Sequence, residues 1–219
     1  MRAFRRVSEG FACGLDGWER ELLARLALEV RALLQADVPA HGDADVPAAA
    51  SPLARIDPGR PGESDRDREV LAALDFEVDP PANHVHTGRS TTDPVVGILL
   101  PDASEDPVTA MEVSGLTRAR LREDKSDRLA RLVAELRAPS GPEGTILVVL
   151  GQEADWLGAI NDVRLVLAQR LGIESAQDAG RVHDVSSQEA PESETPHEQW
   201  YRGTALVYGM VTWWQESLV

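Results

Sequence analysis

The chain has 219 residues, enough to bury one substantial core or one core with an appendage. Its formal net charge of -15 works against binding to free DNA and anionic membranes, though it leaves room for a basic patch or a positively charged protein partner. The lone Cys13 excludes an intramolecular disulfide and fits a reducing compartment.

The opening segment, MRAFRRVSEGFACG, is basic but lacks the apolar centre of a signal peptide. No later segment approaches the roughly 18 consecutive apolar residues of a membrane span. The expectation is a soluble, cytoplasmic protein. AFRRV (3–7) and FACGL (11–15) read as two short strands of a hairpin. Ser8, Glu9 and Gly10 lie between them, and the glycine is free to take a turn angle. Asp16 then reads as the N-cap of a helix over 17–35. Trp18, Leu22, Leu26 and Leu33 recur at helical spacing, widened by Leu23, Ala27, Val30 and Leu34, while Arg25 and Arg31 face water.

A break follows. Residues 37–65 are rich in proline, glycine, alanine and aspartate, and predict a variable or disordered loop. A short helix is expected over 68–76, then a loop, PPANHVHTGRSTTD. DPVVGILLPDA (93–103) is a compact apolar element bounded by prolines. From 106 to 136 the pattern is helical again, with Leu121, Leu129, Leu132, Val133 and Leu136 as its apolar positions. PSGPEG ends that helix. TILVVL (145–150) is a branched, buried strand that can join the hairpin in a three-stranded sheet. A helix over 153–171 comes next, then a polar, acidic stretch near 174–196 expected to be disordered. The last helix begins near His197. The fold class is therefore α+β, a mainly helical body with a small sheet, and the whole of 1–219 is expected to form one domain.

Chemistry is sparsely signalled. GRSTTD (88–93) lacks the lysine and spacing of a phosphate loop. His84 and His86 would hold a metal only with ligands from elsewhere, and no CxxC or HExxH accompanies them. Asp155 and Asp162 can share a helix face, but solvation and salt bridges explain such a spacing as well as an acid–base pair does. No catalytic, cofactor or metal residue is assigned. A basic stripe at Arg118, Arg120, Arg122, Lys125, Arg128 and Arg131 is interrupted by Glu123, Asp124 and Asp127. It reads as an exposed mixed-charge face, or as a nucleic-acid surface if folding segregates the signs.

Two helices carry more. In WLGAINDVRLVLAQRLGI (156–173), Trp156, Ile160, Val163, Leu167 and Leu171 form an apolar stripe. Asn161 and Arg164, three apart, can meet. They fix the helix by buried hydrogen bonds or supply a binding edge. In the last helix, Trp200, Val207, Val211, Trp214 and Leu218 make one stripe, and Leu206, Met210 and Trp213 an adjoining one. Both are expected to pack in the core, against Trp156 and Leu167, or to form a homodimer seam.

These segments resemble an actinobacterial family known as domain of unknown function 2017. The likeness rests on DPVVGILLPDA, on LTRARLREDKSDRLARLVAEL, on WLGAINDVRLVLAQRLGI with its Asn-Asp-Val-Arg-Leu pattern at 161–165, and on VYGMVTWWQESLV. Some members are described as transcriptional regulators linked to oxidative stress, so the resemblance implies regulation through protein contacts with the transcription machinery. The single Cys13 departs from a two-cysteine switch.

The expected function is a non-enzymatic regulatory or protein-interaction module. A direct DNA-binding regulator and an enzyme with a dispersed site are the alternatives. Candidate interaction residues are Asn161, Asp162, Arg164, Arg118, Arg122 and Arg128, and Cys13 is a candidate redox residue.

Overall fold

Arg5–Val7 (β1) and Gly10–Cys13 (β2) form the expected hairpin, with Arg6 opposite Phe11 and Val7 opposite Gly10. The computed structural model describes residues 1–36, 94–101, 107–191 and 193–219. Ile146–Val149 (β3) adds to the far side of β2, antiparallel, with Phe11 opposite Val148, so the sheet order is β1-β2-β3. Gly10 matters more for space than for the turn. A Cβ there would lie 1.9 Å from the Val148 carbonyl oxygen, and its φ of 153° belongs to glycine.

Six helices are present among the described residues: Gly17–Ala36 (α1), Pro94–Leu99 (α2), Pro107–Arg137 (α3), Glu153–Arg170 (α4), Ala176–Ser187 (α5) and Pro196–Glu216 (α6). The start of α1 differs in detail from the sequence reading. The Asp16 carbonyl accepts the Arg20 N–H at 3.1 Å. The capping side chain, however, is Glu19, which accepts the Asp16 N–H at 2.8 Å. Glu19 is only 2% exposed, and its other oxygen pairs with the Met1 ammonium. A buried carboxylate needs such partners, and here it has a cation and an amide.

The main core is one large apolar cluster. It takes Leu22, Leu26, Val30 and Leu34 from α1, Leu129, Leu132 and Leu136 from α3, and Ile146 and Val148 from β3. Ile160, Val163 and Leu167 of α4 join Val207, Val211 and Trp214 of α6 in it. These are the positions that the helical spacing picked out, because period-matched apolar residues have one common face to bury. Two polar links bind the helices from outside. Arg170 reaches Glu29, joining α4 to α1. Arg31 does more than face water: its Nε donates to Ser126 Oγ at 3.1 Å, joining α1 to α3.

Part of the stretch expected to be disordered is a helix. α5 starts with a reciprocal capping box. Ser175 Oγ accepts the Asp178 N–H at 3.3 Å, and the Asp178 carboxylate accepts the Ser175 N–H at 2.9 Å. Val182 is buried against Leu171 and Ala205 in a second, smaller cluster. Arg202 of α6 then ties down the connection, donating to Glu194 at 2.6 Å and to the Gln188 carbonyl at 3.2 Å. The loop expected at 37–65 and the short helix expected at 68–76 lie outside the described residues.

Candidate functional site

Asp162 is the most deeply placed charged residue of α4, 1% exposed where α4 faces α3. Lys125 and Arg128, three apart on α3, reach it from the same side. Lys125 Nζ donates to Oδ1, and Arg128 Nη2 lies 3.6 Å from Oδ2, too far for a hydrogen bond. Oδ2 has no hydrogen-bond partner, and neither has Arg128 Nε. Burial pushes the Asp162 carboxyl above its ordinary 3.8, while the Lys125 hydrogen bond and charge, then the Arg128 charge, pull it back part of the way. Gly158, one turn before Asp162, leaves room for the guanidinium. A Cβ there would lie 2.5 Å from Arg128 Nη1.

Beside this buried group lies a small, shallow recess lined by Arg128, Arg131, Leu132, Gln152, Asp155 and Trp156. At its rim Arg131 Nη2 donates to Asp155 at 2.8 Å, with both side chains about half exposed. Gln152 holds the N-cap position of α4 and makes no side-chain capping bond.

The other expected interaction residues fall into separate groups. Arg164 Nη2 donates to Asn161 Oδ1 at 3.2 Å, the contact that their spacing allowed, and both are half-buried. Arg118 Nη1 donates to the Leu100 carbonyl at 2.8 Å, so it satisfies an open acceptor at the end of α2. Arg122 is half-buried on the same helix. The basic stripe is therefore largely engaged: Arg118 with Leu100, Lys125 and Arg128 with Asp162, Arg131 with Asp155. Exposed Glu123, Asp124 and Asp127 stand among these cations, so the signs are not segregated. Asp162 and Arg128 are candidates from the sequence, but Lys125 has no role at the site there. The signal was the match of Lys125 and Arg128 with Gly158 and Asp162, two short helical spacings that face each other once α3 packs on α4.

Cys13 sits in the core, 1% exposed. Its thiol donates to the Arg2 carbonyl at 2.9 Å and accepts the Trp214 indole N–H at 3.2 Å. Around it Phe4 stacks on Trp214, with ring centres 5.2 Å apart, and Trp156 meets Trp214 edge-on at 6.3 Å. Burial pushes the Cys13 thiol up, against the pull of the Trp214 and Arg2 hydrogen bonds. A sensor thiol needs solvent access and thiolate character, and this position supplies neither. Cys13 is a packing residue here. His84 and His86 lie outside the described residues.

The last helix departs from expectation on one side. Trp156, Leu167 and Trp214 share one core as expected. The adjoining stripe does not bury: Leu206 and Met210 are half-buried and Trp213 is 45% exposed. Val207, Val211 and Trp214 take the core side of α6, Gln215 Nε2 donates to the Leu157 carbonyl at 3.2 Å, and Trp213 lies outward.

A helical body carrying a three-stranded antiparallel sheet, with a buried ion group between α3 and α4, defines an α+β protein of mostly helical build. The chain belongs to the family DUF2017, a domain of unknown function, whose profile matches residues 1–219. No curated protein and no solved structure matches it. No helix among the described residues is long and apolar enough to cross a membrane.

Proposed function

We propose that this protein is a non-enzymatic regulatory module that docks onto another protein through the outer strip of α6, formed by Leu206, Met210 and Trp213. The half-exposed Trp213 carries the reading. Leaving an indole beside other apolar groups in water is unfavourable, and tryptophan is among the residues that most often anchor interfaces. The partner is a surface with an apolar centre and a basic rim. Glu216, exposed one turn beyond Trp213, and the net charge of -15 both favour it by steering and by complementarity. Its assignment to the transcription machinery rests on the resemblance to regulators in the family. Direct recognition of DNA is disfavoured because Arg118 and Arg131 of α3 are held by internal acceptors and exposed Glu123, Asp124 and Asp127 stand among its cations.

A photo-crosslinking side chain at Met210, in cells that express the protein, should trap one partner. Purified, that partner should bind less tightly as salt rises. Trp213→Ala should weaken it by roughly thirtyfold, the effect of a hot spot worth about 2 kcal/mol. The same variant should keep its folding stability within about 0.5 kcal/mol, whereas Trp214→Ala, one residue along and buried, should lose roughly 3–5 kcal/mol. A crosslink only to a second copy would make the strip a homodimer seam. Unchanged partner affinity in Trp213→Ala would sink the reading.

A further inference from the structure

We infer that the outward side of α4, built from Leu157, Asn161, Arg164, Leu165 and Ala168, docks a partner protein that presents one carboxylate side chain between apolar ones. It lies on a different helix from the α6 strip and does not depend on the docking reading above.

The composition of this side is the first observation. Leu157, Asn161, Arg164 or Leu165, and Ala168 follow one another at three or four residues, so they share a side that turns away from Ile160, Val163 and Leu167. All five are half-buried, and Leu165 joins neither core cluster. A helix side turned to water ordinarily carries charges, as α3 does with exposed Glu123, Asp124 and Asp127. Here the one charged residue, Arg164, stands among leucine, alanine and asparagine. Apolar groups around an arginine are the make-up of an interface centre.

Charge gives the second observation. Arg164 Nη2 donates to Asn161 Oδ1 at 3.2 Å, a neutral acceptor, and no carboxylate of the described residues pairs with it. The other arginines nearby have one: Arg170 holds Glu29, Arg181 holds Asp178 and Arg202 holds Glu194. The surroundings explain the difference. Between 157 and 168 the one acid is Asp162, buried toward α3 with Lys125. Glu153 and Asp155 lie more than two turns back, engaged with Gly151 and Arg131. Gln215 meets Leu157 and Ala205 meets Leu171, so α6 runs antiparallel to α4, and its residues 204–215 contain no acid. In a chain with 37 acidic residues, this cation stands without one.

The occupant follows from that. Asn161 holds the guanidinium in place, which lowers the ordering cost of receiving a carboxylate, and the leucines shield the pair from water. A second copy docked face to face about a two-fold axis would bring two Arg164 side chains together, which like charges oppose. A phosphate backbone needs a row of cations, and this side has one.

The test is a titration followed by amide nuclear magnetic resonance. The probes are three blocked helical peptides that differ at one position between leucines, carrying glutamate, glutamine or lysine, and a single-stranded oligonucleotide. The glutamate peptide should shift Asn161, Arg164 and Ala168 and bind about fivefold tighter than the glutamine peptide, with lysine weakest. Arg164→Glu should reverse the order, so that the lysine peptide binds best, which a residue used only for packing would not do. Arg164→Gln, a milder change, should erase the preference for glutamate over glutamine. Leu165→Ala should weaken all three peptides alike. No shift on this side with the glutamate peptide at millimolar concentration would overturn the inference. So would equal affinity for the three peptides, an order unchanged in both Arg164 variants, or a larger response to the oligonucleotide than to the glutamate peptide.

Discussion

Lys125 and Asp162 show how one buried pair constrains a surface. The carboxylate lies under the α3–α4 contact, and its charge is tolerable only because a lysine and an arginine arrive with it. Changing Lys125 to Met removes the hydrogen-bonded partner and leaves Arg128 at 3.6 Å as the remaining counter-charge. Urea unfolding at pH 7 should show a loss of about 3–5 kcal/mol. The triple change Lys125→Met, Arg128→Met and Asp162→Leu should recover most of it, since three apolar residues leave no buried charge unpaired. Acidity gives a second check. The folded Asp162 carboxyl is raised above 3.8, so the native state keeps a proton where the unfolded chain has released it. Stability at this residue therefore falls as pH rises from about 3.8 through the folded value, and returns on acidification. Without Lys125 the folded value climbs further, so the deficit of Lys125→Met should be smaller at pH 5 than at pH 7. A deficit that stays the same at both would remove Asp162 as its cause. Almost none of this was legible in the sequence. Asp162 could be seen to interrupt an apolar run, but its partners lie 34 and 37 residues earlier on another helix, a pairing set by packing.

At the scale of elements, the sequence was informative where one face carried the signal. The apolar spacing in α1, α3 and α4 found both the helices and their buried sides, because burial of such a face is what stabilises them. The strand at Ile146–Val149 was legible from its branched residues. α5 escaped because Val182 is its one buried apolar residue, so no periodic face exists to detect. Its signal was local, the Ser175 and Asp178 spacing of a capping box. The α6 strip escaped for the opposite reason. Its spacing is as regular as that of the buried stripe, and only packing against the other elements, which takes in Val207, Val211 and Trp214 and bonds Gln215 to α4, decides which of the two turns inward. A helix stabilised by its cap and one valine should open on its own. Amides of 176–187 should therefore exchange faster than those of α4, while remaining slower than in an unstructured chain. Ser175→Ala should speed exchange through α5 by roughly fivefold, for a cap worth about 1 kcal/mol, with little change in α4. Equal protection in α5 and α4 would show that the two open as one unit.

Taken whole, the molecule closes on itself through residues far apart in the chain. The Phe4 amide donates to Ser217 at 3.3 Å across 213 residues, and its ring lies on Trp214. During synthesis this contact can form only after α6 has left the ribosome. Until then β1, β2 and α4 lack the cover of Trp214 and Val211, and apolar surface around Phe4 and Trp156 stays open to misassociation. Assembly order, then, is written into the position of one aromatic pair. A chain ending at residue 195 should be soluble only with a chaperone and should bind a hydrophobic dye. Adding a peptide of residues 196–219 should abolish dye binding and restore a blue-shifted Trp156 emission on a timescale that depends on peptide concentration. If the shortened chain already has native emission and binds no dye, closure does not wait for the last helix, and the Phe4–Trp214 stack is a late ornament on a core that forms without it.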